Sequence, residues 1–177
     1  MIVAAAAVAD ANIIDLARTG YPIVIVGRAP HLGRAVTVSL DDYHGGEAVV
    51  QHLLAVHGVR RVVHIAGPLG HQSSQDKLSG YRAALMKSAI APDPELEVEG
   101  DYFDEGGARA VEQLLRRRVQ FEAIFAANDQ MALGAVEALR GHGTVSYTHL
   151  DVYKRQPRMC IIVVVEVRPL RFSRLPI

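Results

Sequence analysis

The 177-residue sequence has a single cysteine, no net charge and no long apolar run. Cys160 alone cannot make an internal disulfide, so the thiol count gives no sign of an oxidising compartment. The longest apolar stretches, MIVAAAAVA and CIIVVV, fall well short of the roughly 18 residues that a membrane-spanning helix needs. The start has no basic n-region and does not read as a signal peptide. Nineteen basic residues balance 19 acidic ones, which argues against a large nucleic-acid surface within this segment, because phosphate binding needs clustered Lys and Arg. What is present, 50% hydrophobic and 21% charged residues, is the composition of a soluble globular protein. The length suffices for one core or two small subdomains. The expected partner is a small molecule, with no membrane contact.

Short continuous apolar runs at 2–6 (IVAAA) and 23–26 (IVIV) predict strands covered on both faces. Between them DANIIDLARTG predicts a helix, capped by Asp10 or Asn12 and stopped at Gly20. A strand at 35–38 leads to a helix whose Val49, Val50, Leu53 and Val56 form one apolar stripe, ended by Gly58. Strands at 61–67, 96–99 and 122–127 then alternate with helices lined by Leu78, Tyr81 and Leu85, by Ala108, Val111 and Leu115, and by Ala132, Ala135, Val136 and Leu139. This alternation predicts an α/β fold: parallel sheets with helices on both faces. Ligands of such sheets sit at the carboxyl ends of strands, which directs attention to the loops after residues 66, 99 and 127.

The pattern breaks after residue 144. TVSYTHLDVYKRQPR has neither helical nor strand periodicity, and MCIIVVVEV is followed by a basic stretch without a further crossover. SYTHLDVYKRQ resembles a translated adapter or vector junction, so 145–177 is set aside as a non-native or irregular tail.

Diagnostic enzyme motifs are absent: no nucleophile elbow, no H-E-x-x-H, no Walker loop, and GHGTVS at 141–146 lacks the last glycine of a dinucleotide loop. His52 and His57 are five apart and do not share a helix face as metal ligands would. Arg116, Arg117 and Arg118 end a helix, where cations complement the dipole. Neither metal nor cofactor is expected.

Polar residues gather in three loops. Ser73, Ser74 and Lys77 follow the strand ending at Gly67, with a helix starting near Asp76; Asp101 and Tyr102 follow the next strand; Asn128 and Asp129 follow the third. Each has a plain structural role open to it: Ser74, Asp76 or Asp129 as a helix N-cap, Tyr102 as a half-buried loop aromatic, Lys77 as a solvated first-turn residue. Together an amide, an ammonium, hydroxyls and a flat aromatic face suit a polyol or nucleoside.

Read in order, DDYHGGEAVVQHLL and HGVRRV at 41–62, IAGPL at 65–69, DKLSGYRAAL at 76–85, EGDY at 99–102 and AANDQMALGA at 126–135 resemble the effector-binding domain of the lactose/galactose-repressor family. The likeness covers about residues 1–144. It implies a type-I periplasmic-binding-protein-like fold, incomplete at both ends, with two subdomains around a cleft: 1–58 in the N-terminal one and 59–144 in the C-terminal one. It implies that Asn128 hydrogen-bonds effector hydroxyls beside a capping Asp129, that Tyr102 packs on a sugar ring, and that Ser73 adds a hydroxyl. Lys77 stands where the family usually has an arginine, keeping the charge and losing the bidentate fork.

The function so implied is small-molecule sensing, of a sugar or nucleoside, in a cytoplasmic transcriptional regulator. The intact protein would be a homodimer reaching operator DNA through an N-terminal helix-turn-helix that these residues do not contain. Two other readings stand beside it: a periplasmic sugar-binding protein of a transporter, and an α/β enzyme using Asp101, Asp129 or a histidine as acid or base.

Overall fold

The computed structural model describes residues 2–4, 15–16, 18–26, 36–38, 40–142, 145–152 and 161–167. Three short strands, β1 (Ile2–Ala4), β2 (Val24–Val26) and β3 (Val36–Val38), form a parallel sheet in that order. Asp15, Leu16 and Arg18 are helical and Gly20 takes a φ of +79°, the left-handed stop expected there. The proposed caps Asp10 and Asn12 lie outside the described residues.

A five-stranded sheet forms the larger unit: β4 (Val62–Ala66), β5 (Glu97–Glu99), β6 (Ala123–Ala126), β7 (Val145–Val152) and β8 (Ile161–Val167), in the order β5-β4-β6-β8-β7. β4 and β6 are wholly buried, which is why their sequences are apolar without alternation. β5 and β6 flank β4 in parallel, so the chain reverses direction across the sheet at β4. In open α/β sheets such a reversal marks the carboxyl ends as the place where ligands bind.

Four helices cover this sheet. α1 (Asp42–Val56) and α2 (Gln72–Lys87) bury Val49, Val50, Leu53, Tyr81 and Leu85 against Val62, Ala123 and Phe125 on one face. α3 (Asp104–Arg116) and α4 (Asp129–Gly141) bury Val111, Leu114, Met131, Ala135 and Leu139 against Val63, Ile65 and Ile124 on the other. Both pairs cross through glycine. A Cβ on Gly80 would lie 2.1 Å from the Tyr43 carbonyl oxygen, and one on Gly107 would lie 2.0 Å from that of Met131. Gly46 and Gly134 press in the same way on the backbones of Lys77 and Asp104.

The stripe of α1 packs on the five-stranded sheet. One expectation needs correction. α2 begins at Gln72 and not near Asp76, because His71 is extended and its carbonyl already accepts from the Ser74 and Gln75 amides. The backbone at 145–152 and 161–167 is strand: β8 runs antiparallel to β6 and to β7. The β-branched run IIVVVEV accounts for β8. Cys160 lies outside the described residues.

Candidate functional site

The three loops proposed from sequence meet at the carboxyl rim of the five-stranded sheet. Backbone bonds stitch them there: the Gly100 amide donates to the Ala66 carbonyl at 2.7 Å, and the Ala127 amide to that of Ile65 at 2.9 Å. α1 packs parallel to α2, so its first residues reach the same rim.

Tyr102 is the centre of the rim. Its φ of +72° is left-handed, an uncommon and strained choice for a bulky residue. Asn128 clamps it: Nδ2 donates to the Tyr102 carbonyl at 2.7 Å, while Oδ1 accepts from the Met131 amide at 3.1 Å. On the other side Asp101 Oδ1 accepts from the Phe103 amide at 2.9 Å. The half-buried ring lies over Gly67, where a Cβ would meet Cε1 at 2.2 Å. Its hydroxyl shares a 2.5 Å hydrogen bond with Ser74 Oγ, and the His71 ring stands 5.7 Å away, tilted.

Asn128, not Asp129, is therefore the N-cap of α4, since only the residue before the helix has the extended backbone (φ −152°) that aims its side chain at the orphan amides. Asp129 is the first helical residue, and its Oδ1 is buried with no hydrogen-bond partner among the described residues. Ser74 does not cap α2 either; it lies inside the helix and is committed to Tyr102.

Lys77 is not a solvated residue. It is 8% exposed, and its Nζ lies 2.9 Å from both Ser73 Oγ and Asp42 Oδ1. Asp42, Gly67 and His71 are the rim residues that sequence reasoning did not single out. Asp42 was visible only as the second of two acids before a glycine pair, next to Asp41, which caps α1 through the His44 amide.

Two titratable groups bear on an acid-base role. Asp101 is held below the usual carboxylate range, first by the Phe103 amide and then by Arg109 at 2.5 Å, which makes it a structural anion and a poor base. His64 on β4 is fully buried between Tyr81 and Phe125, with ring centroids at 5.3 and 4.5 Å. Its Nδ1 donates to the Phe125 carbonyl at 3.0 Å, Nε2 has no hydrogen-bond partner among the described residues, and burial lowers its pKa from 6.5 to about 4. No group of three metal-ligating side chains occurs among the described residues. An open cavity of about 360 Å³ lies at the far ends of α1 and α2, lined by Gln51, Leu54, Val59, Lys87 and Ile90. It lacks the aromatic face and converging polar groups that make the rim the candidate site.

The family model of the periplasmic binding protein domain matches residues 2–154. The chain belongs to this family. Within it, the chain is an effector-binding domain of the LacI type. It is 36% identical to the helix-turn-helix-type transcriptional regulator CelR of Thermobifida fusca, over 72% of this chain and 38% of the relative. It is 34% identical to the ribose operon repressor of Escherichia coli, over 67% and 36%. This domain thus spans well under half the length of those curated relatives. A sugar-binding LacI-family regulator from Escherichia coli, solved with phosphate, superposes with a TM-score of 0.72 at 28% identity, covering 80% of this chain and 51% of that one. The CelR–cellobiose complex superposes with a TM-score of 0.65 at 35% identity, covering 72% and 39%. No helix among the described residues is long and apolar enough to cross a membrane.

Proposed function

We propose that the chain senses a sugar or nucleoside for a cytoplasmic, homodimeric transcriptional regulator, and that ligand binding at the rim controls operator binding by the intact protein. The observation that carries this reading is the clamp on Tyr102: a strained aromatic residue is held at the carboxyl rim of the sheet by the Asn128 amide and Ser74 hydroxyl. Strain of this kind persists where surroundings over-determine it, and functional sites are where it clusters. Tyr102 supplies a face for a ring, Asn128 and Ser73 supply hydrogen bonds for hydroxyls, and Asp129 offers an acceptor without a partner. The relatives are regulators, which supports this role over a transport component or an enzyme.

A ligand shifts the regulator only by its differential affinity for two arrangements of the subdomains, a coupling of typically about 1–3 kcal/mol. Calorimetric titration of the chain with neutral pentoses, hexoses, cellobiose and nucleosides tests the reading. Saturable binding without product, lost in Tyr102→Ala, is the expected result. Turnover of the ligand, or no binding by any of the panel, would overturn it.

A further inference from the structure

Three of the four helices that reach the rim have a carboxylate in the first turn. Asp42 opens α1, Asp104 and Glu105 open α3, and Asp129 opens α4. The first turn of α2 has no acid, and its N-cap His71 makes no side-chain capping bond. That end of α2 would attract an anion, since free amides and the helix dipole both favour one. Lys77 stands in the second turn of the same helix and would strengthen the attraction.

Asp42 reaches across from α1 and cancels it. Its Oδ1 lies 2.9 Å from Lys77 Nζ, and both side chains are nearly buried, at 13% and 10% exposure. Ser73 Oγ takes a second ammonium hydrogen at 2.9 Å. An ammonium has three donors, so one N–H is left for a ligand, and it belongs to a charge-balanced pair. An incoming phosphate or carboxylate would meet this compensated lysine with the Asp42 carboxylate beside it. A hydroxyl or ring oxygen needs only the one donor.

We infer that Asp42 is a specificity residue: by neutralising Lys77 it restricts the rim to uncharged polyhydroxy ligands and excludes their phosphorylated or acidic counterparts. This rests on the sensing role proposed above and names the ligand class for the same site. Asp42 acts through Lys77 and need not touch the ligand.

The test is calorimetric titration of the chain and its variants with inorganic phosphate and with the neutral panel. Asp42→Asn keeps the size of the side chain and leaves the Asp41 cap in place, and circular dichroism checks that it folds. The expected result is weak or no phosphate binding by the wild type and an affinity at least about tenfold higher in Asp42→Asn. Asp42→Asn combined with Lys77→Met loses that gain, a readout that a merely structural role for Asp42 would not produce, and Asp42→Glu behaves as the wild type. Neutral ligand binding together with equal phosphate affinity in wild type and Asp42→Asn overturns the inference alone. No neutral ligand binding by the wild type overturns the sensing role and the inference with it.

Discussion

Asn128 Nδ2 donates to the carbonyl of Tyr102 at 2.7 Å while the same side chain caps α4 through the Met131 amide. One amide thus starts a helix and holds the loop that follows β5, so helix stability and site geometry are linked at a single residue. Serine can replace the cap and cannot reach the carbonyl. Asn128→Ser is therefore expected to keep the capping contribution of about 1 kcal/mol and lose the tie, whereas Asn128→Ala loses both. Urea denaturation orders them wild type, Ser, Ala; equal stability of Ser and Ala would show that the cap contributes nothing.

Gly67 makes room for the Tyr102 ring and the Ser74 hydroxyl, which a Cβ would meet at 2.2 and 2.6 Å. In Gly67→Ala the ring must shift off its seat. Affinity for the best-binding neutral ligand should fall about tenfold or more, measured by calorimetry. An unchanged affinity would mean that the seat of the ring does not matter to binding.

The glycines of the helices divide into two kinds. In Gly80→Ala the new methyl meets backbone at 2.1 Å, which cannot move as a side-chain tip can. A loss of about 1–3 kcal/mol or more is expected. Gly45, in α1, has open space where its Cβ would be, and Gly45→Ala should add about 0.5–1 kcal/mol by helix propensity. Thermal melts of the two variants should move in opposite directions.

His64 gives the fold an acid-sensitive core. Its folded pKa is about 4 against 6.5 in the unfolded chain, so the unfolded state takes the proton first. Stability is complete above about pH 6.5 and falls as pH drops towards about 4, by about 3 kcal/mol in total. His64→Phe removes the titration and should flatten this part of the pH profile of the urea midpoint. Parallel profiles for the two proteins would exclude His64 as the cause.

Sequence pattern exposed the core strands well: VVHIA and AIFA are runs that only a doubly covered strand explains, and they are β4 and β6. Periodicity also located the buried face of α1 at 49, 50 and 53, although Val56, expected in the same stripe, is exposed; it could not name the sheet that face packs on, because such a stripe fits any apolar surface. The start of α2 escapes the pattern for a related reason: Gln72, Ser73 and Ser74 look like loop, and what makes them helical is the His71 carbonyl, which accepts from the Ser74 and Gln75 amides. The site residues were legible as residue types at one end of a sheet. Their partners were not: Asp42 is remote from Lys77 in sequence, and the left-handed backbone of Tyr102 leaves no mark on its own identity.

The glycine crossings lie towards the rim, at Gly46 and Gly80 on one face and Gly107 and Gly134 on the other. Where backbone meets backbone there is no layer of side chains to slide over, so each helix pair is pinned at the end that carries the site. The opposite ends of α1 and α2 border the open cavity that Leu54 and Ile90 line. Any rocking of one helix against its neighbour must therefore pivot at the rim, where the lever arm is shortest and the ligand's contacts are displaced least.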